Sequence, residues 1–356
     1  MGAIHKIASW CGIASAGLLL SAVSTASLAQ SVTGKIGITV TNNDPYQFIS
    51  ASDGNVWLTH WNGSIWQWNN LSRPGGVGVG TGLGANNPNN TPYAYMTGTD
   101  GNVWLTHWNG SGWPWTNLSN PGSTYVAGPV AAISISNVPY LFVRGGDGNL
   151  WVVHWNGSGW PWNNLGKPAS GTVNVAGAIG GEIFNNAPFV FLIGSDGAVY
   201  AAQWNGSTLY FGGVGPPAAG VVAAQGVGAY PGSAYVIGSD GNLWETYWNG
   251  TLWKWANQSK PATANLSKPV GVTQNSSGNV SVHVIGDNGH LYGNPLNNPG
   301  WLDFGVVTDG STPQIALGDA STLTVKTPSP FTFVGTSSGA VWILNPNGQW
   351  GNANFP

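Results

Sequence analysis

The chain has 356 residues, of which only 6% are charged, with 9 Lys and Arg against 12 Asp and Glu. So few basic residues argue against a surface that follows a nucleic-acid backbone. The single cysteine, Cys11, lies in the N-terminal segment, so the rest of the chain has neither disulfides nor thiol chemistry. The 21 Trp and 55 Gly, with many turn-forming residues, indicate an all-β protein.

Residues 1–29 are predicted to be a secretory signal peptide. Lys6 precedes an apolar run around Leu19, and small residues lead to Ala29. This order is typical of an export signal that is cleaved near Ala29. We therefore expect a secreted, extracellular protein of residues 30–356 that does not insert into a membrane.

The remaining chain is built from seven copies of one sequence repeat, which is best preserved from Asp100 to Leu118. The glycine near the start of each copy recurs at intervals of 47, 47, 49, 44, 48 and 50 residues. A period of about 40 to 50 residues with strand-like content is typical of a β-propeller with one blade per repeat. We thus predict a single seven-bladed β-propeller with four antiparallel strands per blade over residues 30–356. The predicted blades are approximately 35–71, 77–118, 126–165, 173–214, 221–257, 269–304 and 314–355.

Two recurring turn signals separate the strands within a repeat. Asp-Gly pairs join the predicted second and third strands, and Asn-Gly-Ser/Thr sequences join the third and fourth. Both favour tight hairpins, because Gly, Asn and Asp tolerate positive φ. The recurring acids are therefore interpreted as turn residues rather than catalytic carboxylates: Asp53, Asp100, Asp147, Asp196 and Asp240. The other acids show no spacing that suggests glycoside hydrolysis, so we expect no enzymatic activity, cofactor or metal ion.

Four repeats carry a set of four tryptophans. Strand alternation places Trp104, Thr106 and Trp108 on one face, and the hairpin brings Trp113 opposite Trp108. The position of Trp104, three residues after the glycine, is aromatic in all seven repeats and is interpreted as packing between blades. Trp113 and Trp115 lie near the outer rim, where they could either pack between blades or bind a ligand. Both roles are compatible with an indole, because it combines an apolar ring with an N–H donor and suits a partly solvated site.

Three histidines occupy one position of the repeat. They are His60, His107 and His154, with Gln203 and Tyr247 at the same position in the next two repeats. Each of these side chains can donate or accept a hydrogen bond. They could satisfy backbone groups of the next blade or contact a ligand, whereas equivalent positions on separate blades are too far apart to share a metal ion.

The repeat segment from Asp147 to Pro168 resembles the repeat of the bacterial seven-bladed propeller lectins of the Photorhabdus lectin type. The resemblance covers essentially all of residues 30–356 and implies a multivalent, non-enzymatic carbohydrate-binding protein. It also implies sugar pockets between adjacent blades, L-fucose or O-methylated sugars on soluble or cell-surface glycans as ligands, and homo-oligomer formation. The carbohydrate-binding residues that it suggests are His60, Trp61, Trp66, Trp68, His107, Trp108, Trp113, Trp115, His154, Trp155, Trp160, Trp162, Tyr247, Trp248, Trp253 and Trp255.

Three blades depart from the repeat. Leu209 and Phe211 replace the rim tryptophans in blade 4, while Leu296 and Pro346 replace the last tryptophan of the third strand in blades 6 and 7. We therefore expect roughly three to five working sites rather than one per repeat. The chain also lacks the arginine and glutamate pair that six-bladed fungal fucose lectins repeat in each blade. The alternative function is a propeller that binds a protein partner, with the tryptophans purely structural.

Overall fold

The computed structural model describes residues 30–42, 44–184, 187–204, 209–275, 277–296, 300–319 and 331–356. The predicted signal peptide, residues 1–29, lies outside the described residues. Blade 1 comprises β1 Val32–Thr41, β2 Asp44–Ala51, β3 Val56–Trp61 and β4 Trp66–Asn70. Blade 2 comprises β5 Val79–Asn86, β6 Tyr93–Gly98, β7 Val103–His107 and β8 Trp115–Asn117. Blade 3 comprises β9 Val126–Ile135, β10 Val138–Gly145, β11 Leu150–His154 and β12 Trp162–Gly166.

Blades 4 to 7 repeat the same arrangement. They comprise β13 Val175–Phe184, β14 Ala187–Gly194, β15 Val199–Trp204, β16 Leu209–Gly215; β17 Ala223–Tyr230, β18 Ser233–Gly238, β19 Leu243–Trp248, β20 Trp253–Asn257; β21 Leu266–Gln274, β22 Val280–Gly286, β23 Leu291–Pro295, β24 Leu302–Gly305; β25 Pro313–Asp319, β26 Thr332–Thr336, β27 Val341–Leu344 and β28 Trp350–Asn352. The described residues also form short 3-10 turns at Pro74–Gly76, Pro88–Asn90 and Ala169–Gly171. None of the described helical segments is long and apolar enough to cross a membrane.

Each sheet contains four strands that are consecutive in sequence and antiparallel, which confirms the predicted seven-bladed propeller. The first strands of successive blades contact one another around the ring, and β1 contacts β25 where the ring closes. Blade 1 contains β1 to β4 and blade 7 contains β25 to β28, so neither sheet borrows a strand from the other. Closure depends instead on packing between the two blades and on hydrogen bonds such as that from Trp68 Nε1 to the Ala353 carbonyl, at 2.7 Å.

Glycine is needed in the first strands because neighbouring blades approach each other closely at the ring centre. A Cβ atom at Gly82 would overlap the carbonyl oxygen of Lys35, and one at Gly226 would overlap the carbonyl oxygen of Ala178. At these positions any side chain would push two blades apart.

The Asp-Gly turns connect the second and third strands at one rim of the ring. In blade 1, Asp53 Oδ2 accepts the indole N–H of Trp57 at 3.0 Å, and Asp53 Oδ1 accepts the backbone N–H of Asn55 at 2.9 Å. The same carboxylate-to-tryptophan bond recurs at Asp100, Asp147 and Asp240. In blade 4 the hydroxyl of Tyr200 donates to Asp196 at 2.7 Å instead. These carboxylates therefore hold the turn and orient the aromatic residue that follows it.

Among the described residues the hydrophobic core forms seven layers, one between each pair of neighbouring blades. In the layer between blades 1 and 2, Phe48 and Leu58 of blade 1 pack with Met96 and Trp104 of blade 2. Each blade thus presents its tryptophan face to the preceding blade and its aliphatic face to the following one. This direction of packing decides which candidate residues meet.

Candidate functional site: clefts between neighbouring blades

The neighbouring residues His60 and Trp61 at the end of β3 belong to different clefts. His60 and Trp61 are adjacent in β3, and strand alternation sends their side chains to opposite faces of blade 1. Trp61 lies against Trp66, with ring centroids 5.5 Å apart, and Trp66 packs on Phe333 of blade 7. His60 instead faces blade 2. The candidate residues of one repeat are therefore divided between two clefts.

Cleft 1–2 lies between blades 1 and 2 and has a volume of about 660 Å³. Blade 1 contributes Tyr46 and His60, whose rings stack with centroids 5.0 Å apart and planes 9° apart. Blade 2 contributes Trp108 and Trp113, whose rings are tilted by 54° at 5.8 Å. Trp108 is 43% exposed, so much of its indole is available to a ligand. The cleft combines an open aromatic wall with hydrogen-bonding groups.

Cleft 2–3 repeats this arrangement one blade further round, with a volume of about 360 Å³. Tyr93 and His107 of blade 2 stack at 4.6 Å and 13°. Trp155 and Trp160 of blade 3 form the other wall, tilted by 56° at 5.7 Å. The volumes of both clefts fall within the range of about 300 to 1,000 Å³ that is usual for small-molecule sites.

The stacked histidine presents a defined polar atom in cleft 2–3. His107 Nδ1 lies 3.2 Å from the backbone carbonyl oxygen of Trp108. Because a carbonyl can only accept, this contact places a proton on Nδ1 and leaves Nε2 of the neutral ring as an acceptor. His154 Nδ1 makes the equivalent contact with the Trp155 carbonyl at 3.4 Å. The imidazole is therefore oriented by its own blade rather than by a backbone group of the next one.

The tyrosine of each stack was not among the site residues predicted from the sequence. Burial raises the pKa of Tyr46, Tyr93 and Tyr140, and the charge of Asp44 adds to this effect at Tyr46. The phenols therefore stay protonated near neutral pH and can both donate and accept hydrogen bonds. A sequence signal for them exists, since each follows a proline at the start of the second strand.

Cleft 4–5, about 460 Å³ in volume, keeps the tryptophan wall and changes the opposite one. Trp248 and Trp253 of blade 5 stand at 5.5 Å, and Trp248 is 39% exposed. Phe189 and Gln203 of blade 4 occupy the positions of the tyrosine and histidine. This cleft offers a side-chain amide in place of an imidazole.

Other predicted residues lie where one half of the arrangement is missing. His154 stacks on Tyr140 at 5.1 Å, but Trp204 of blade 4 is only 6% exposed and belongs to the core. Trp66 of blade 1 meets Phe331 and Phe333 of blade 7 rather than a tyrosine and histidine stack. Within the described parts of the chain, clefts 1–2 and 2–3 combine the stack with a tryptophan pair in which Trp108 or Trp155 is exposed.

The tryptophans Trp68, Trp115, Trp162 and Trp255 of the fourth strands contact the preceding blade. Trp115 Nε1 donates to the Leu71 carbonyl at 3.0 Å, and Trp162 Nε1 donates to the Leu118 carbonyl at 2.9 Å. Trp68 makes the equivalent bond where the ring closes. Trp255 packs in the layer between blades 4 and 5. The indoles of Trp68, Trp115 and Trp162 therefore bind the neighbouring blade with the polar atom that a ligand would otherwise use, whereas Trp255 packs without such a bond.

No protein-family model matches the chain, and no curated protein matches it in sequence. Solved structures with a similar fold include the Aleuria aurantia lectin in complex with Fucα1-6GlcNAc, with a TM-score of 0.52 and 14% identity over 78% of this chain and 96% of the lectin. AofleA from Arthrobotrys oligospora has a TM-score of 0.52 and 14% identity over 78% of this chain and 90% of its own. The Dos1 propeller has a TM-score of 0.50 and 13% identity over 92% of this chain and 86% of its own. At these identities the likeness shows a shared propeller fold.

Proposed function

We propose that this protein is a multivalent lectin that binds sugars in clefts 1–2 and 2–3, and more weakly in cleft 4–5. The observation that supports the proposal most directly is the assembly of the same two-sided arrangement at two different blade boundaries. Each copy pairs a tyrosine and histidine stack with a tryptophan pair of which one indole is exposed. Trp108 is 43% exposed, so part of its indole is available to a ligand.

The chemistry of these clefts suits a sugar. The indole faces of Trp108 and Trp113 offer an apolar surface for the C–H face of a pyranose ring. On the opposite wall, the imidazole of His60 and the hydroxyl of Tyr46 can bond sugar hydroxyls. The described residues contain no group of three His, Cys, Asp or Glu that could hold a metal ion.

We propose L-fucose or O-methylated sugars as the ligand class. The resemblance of the repeat to Photorhabdus-type lectins suggests this class. A fucose-specific lectin from Aleuria aurantia shares the propeller fold, but its likeness adds no support for fucose, since this chain lacks the arginine and glutamate pair that six-bladed fungal fucose lectins repeat. The methyl substituent of such sugars adds apolar surface that the tryptophan wall can cover. We assign no catalytic residue, and we propose export after cleavage near Ala29.

Several weak sites on one rigid ring would act together. A shallow sugar site corresponds to a dissociation constant of about 1 mM, or about 4 kcal/mol. When two sites engage one dense glycan surface, the second contact becomes intramolecular and avidity rises roughly 10²- to 10⁴-fold. The proposed repetition of clefts therefore raises binding to glycan-covered surfaces.

A glycan array probed with the purified protein tests this proposal, followed by calorimetric titration of the strongest sugars. The double variant Trp108→Ala with Trp155→Ala should lose most of the array signal. Tyr125→Ala is the matched control, because Tyr125 is 62% exposed and lies beside an Asp-Gly turn, away from the clefts. A blank array from the folded protein would instead favour a propeller that binds a protein partner.

A further inference from the structure

Blade 5 replaces apolar residues with polar ones at matched positions of its outer half. Glu245 pairs with Tyr235 across the sheet, at the position where Leu58 pairs with Phe48 in blade 1. Ser233 occupies the position of Tyr46. Gln258 occupies the position of Leu71, and its backbone N–H bonds the third strand in the same way. Glu245 and Gln258 thus replace two leucines, and Ser233 replaces a tyrosine beside the carboxylate.

These residues hold the Glu245 carboxylate in place. Ser233 Oγ and the Tyr235 hydroxyl both donate to Glu245 Oε1 at 3.1 Å. Gln258 Nε2 donates to Glu245 Oε2 at 2.8 Å. All three donors are neutral, and within the described residues Glu245 forms no ion pair with a basic side chain. Burial, followed by the negative charge of Glu245, raises the pKa of Tyr235.

The carboxylate lines an open pocket of about 520 Å³, which we call the acidic pocket. Its other walls include Ser233, Tyr247 and Trp248. The small side chain of Ser233 stands where a tyrosine covers the corresponding position in blades 1 and 2. Tyr247 and Trp248 are 37% and 39% exposed, so aromatic surface and a negative charge are accessible in one place.

The basic side chain nearest in the strand register is Lys254, which lies opposite Tyr247 across the hairpin. Lys254 is exposed and makes no ion pair in the described part of the chain. The charge of Glu245 is therefore left for a ligand. An ammonium group bonds strongly to a carboxylate and is attracted to the faces of aromatic rings.

We propose that the acidic pocket binds the ammonium group of a sugar that carries a free amine, such as a hexosamine residue. This inference rests on the proposed carbohydrate-binding function and adds a cationic sugar to its ligands. Cleft 4–5 lies next to the acidic pocket and shares Phe184 and Trp248 with it. One glycan can thus place a neutral sugar in cleft 4–5 and an amino sugar beside Glu245.

Calorimetric titrations with methyl glucosaminide, methyl N-acetylglucosaminide and methyl fucoside test the inference on the purified protein and its variants. The wild type should bind the free amine about tenfold or more tightly than the acetylated sugar, because only the amine carries charge. Glu245→Gln should remove this preference while methyl fucoside binding stays unchanged. Added salt should weaken binding of the amine and leave methyl fucoside binding largely unaffected.

Two further variants make the outcomes distinguishable. Tyr247→Ala removes one aromatic wall of the acidic pocket and leaves the hydrogen bonds of Glu245 in place. If Glu245→Gln lowers the melting temperature, Tyr247→Ala tests the inference instead, and it should weaken binding of the free amine. Trp108→Ala should weaken fucoside binding in cleft 1–2 and leave binding of the amine intact. Equal binding of both amino sugar derivatives by the wild type, or an unchanged preference in Glu245→Gln, would overturn this inference while fucoside binding still supports the lectin. Loss of all three sugars would overturn both proposals.

Discussion

Trp108 and Trp115 lie seven residues apart on the same face of blade 2, yet the structure predicts opposite consequences for their replacement. Trp115 is half-buried, and its indole donates to the Leu71 carbonyl at 3.0 Å. Trp115→Phe keeps an aromatic ring but leaves that carbonyl without its partner. The expected loss is about 1 to 3 kcal/mol of unfolding free energy, with little change in sugar affinity. For a chain of this size, each kcal/mol of lost unfolding free energy lowers the melting temperature by about 2 to 4 °C, so a fall of several degrees is expected.

Trp108→Ala should do the reverse. The side chain is 43% exposed and forms one wall of cleft 1–2, so its removal leaves most of the core intact. We expect a loss of about 1 to 2 kcal/mol in binding at that cleft, or roughly 5- to 30-fold in affinity. The melting temperature should change less than in Trp115→Phe.

Both variants should be measured in the Trp155→Ala background, which disables cleft 2–3, by calorimetric titration with methyl fucoside and by thermal unfolding followed by circular dichroism. Reduced sugar binding in Trp115→Phe at unchanged stability would refute the assignment of this indole to packing between blades. Strong destabilisation in Trp108→Ala with unchanged binding would refute the assignment of Trp108 to the cleft.

Three other predictions follow from the geometry. His107→Ala should lower the sugar affinity of cleft 2–3 about tenfold. His154→Ala should leave sugar binding nearly unchanged, because Trp204, the tryptophan of the next blade, is buried. Equal losses of affinity for the two variants on titration would contradict this distinction. Asp100→Ala removes the acceptor of the Trp104 indole and should lower the unfolding free energy by about 1 to 2 kcal/mol in a denaturant titration, with unchanged array binding. Burial raises the pKa of Glu182 from 4.5 to about 8, so its contribution to stability is greatest below pH 4.5 and is lost as pH rises towards 8. Glu182→Gln should flatten stability over that window, and an unchanged pH profile would show that this carboxyl does not titrate as described.

The clefts show why the tertiary structure was needed to assign partners. The sequence places His60 beside Trp61, but the strand period of two sends them to different faces. Which tryptophans meet His60 depends on the direction in which blades pack, and Trp108 and Trp113 lie 48 and 53 residues further along the chain. This direction could not be assigned from the repeat, because both faces of the blades contribute apolar residues to the core layers. The same packing directs the indole N–H of Trp115 to the Leu71 carbonyl. The sequence alone did not distinguish this packing role from ligand binding.

The sequence by itself determined the fold: the repeat period gave seven blades, and the turn signals divided each repeat into four strands. These features are local, because a hairpin depends on a few residues with suitable φ and a strand on its own alternation. Only the tertiary structure decided the composition of the clefts and of the acidic pocket, because each depends on contacts between residues far apart in the chain or sheet. Glu245 illustrates the difference, since its polar partners Tyr235 and Gln258 become visible as a group only when three strands of blade 5 lie side by side.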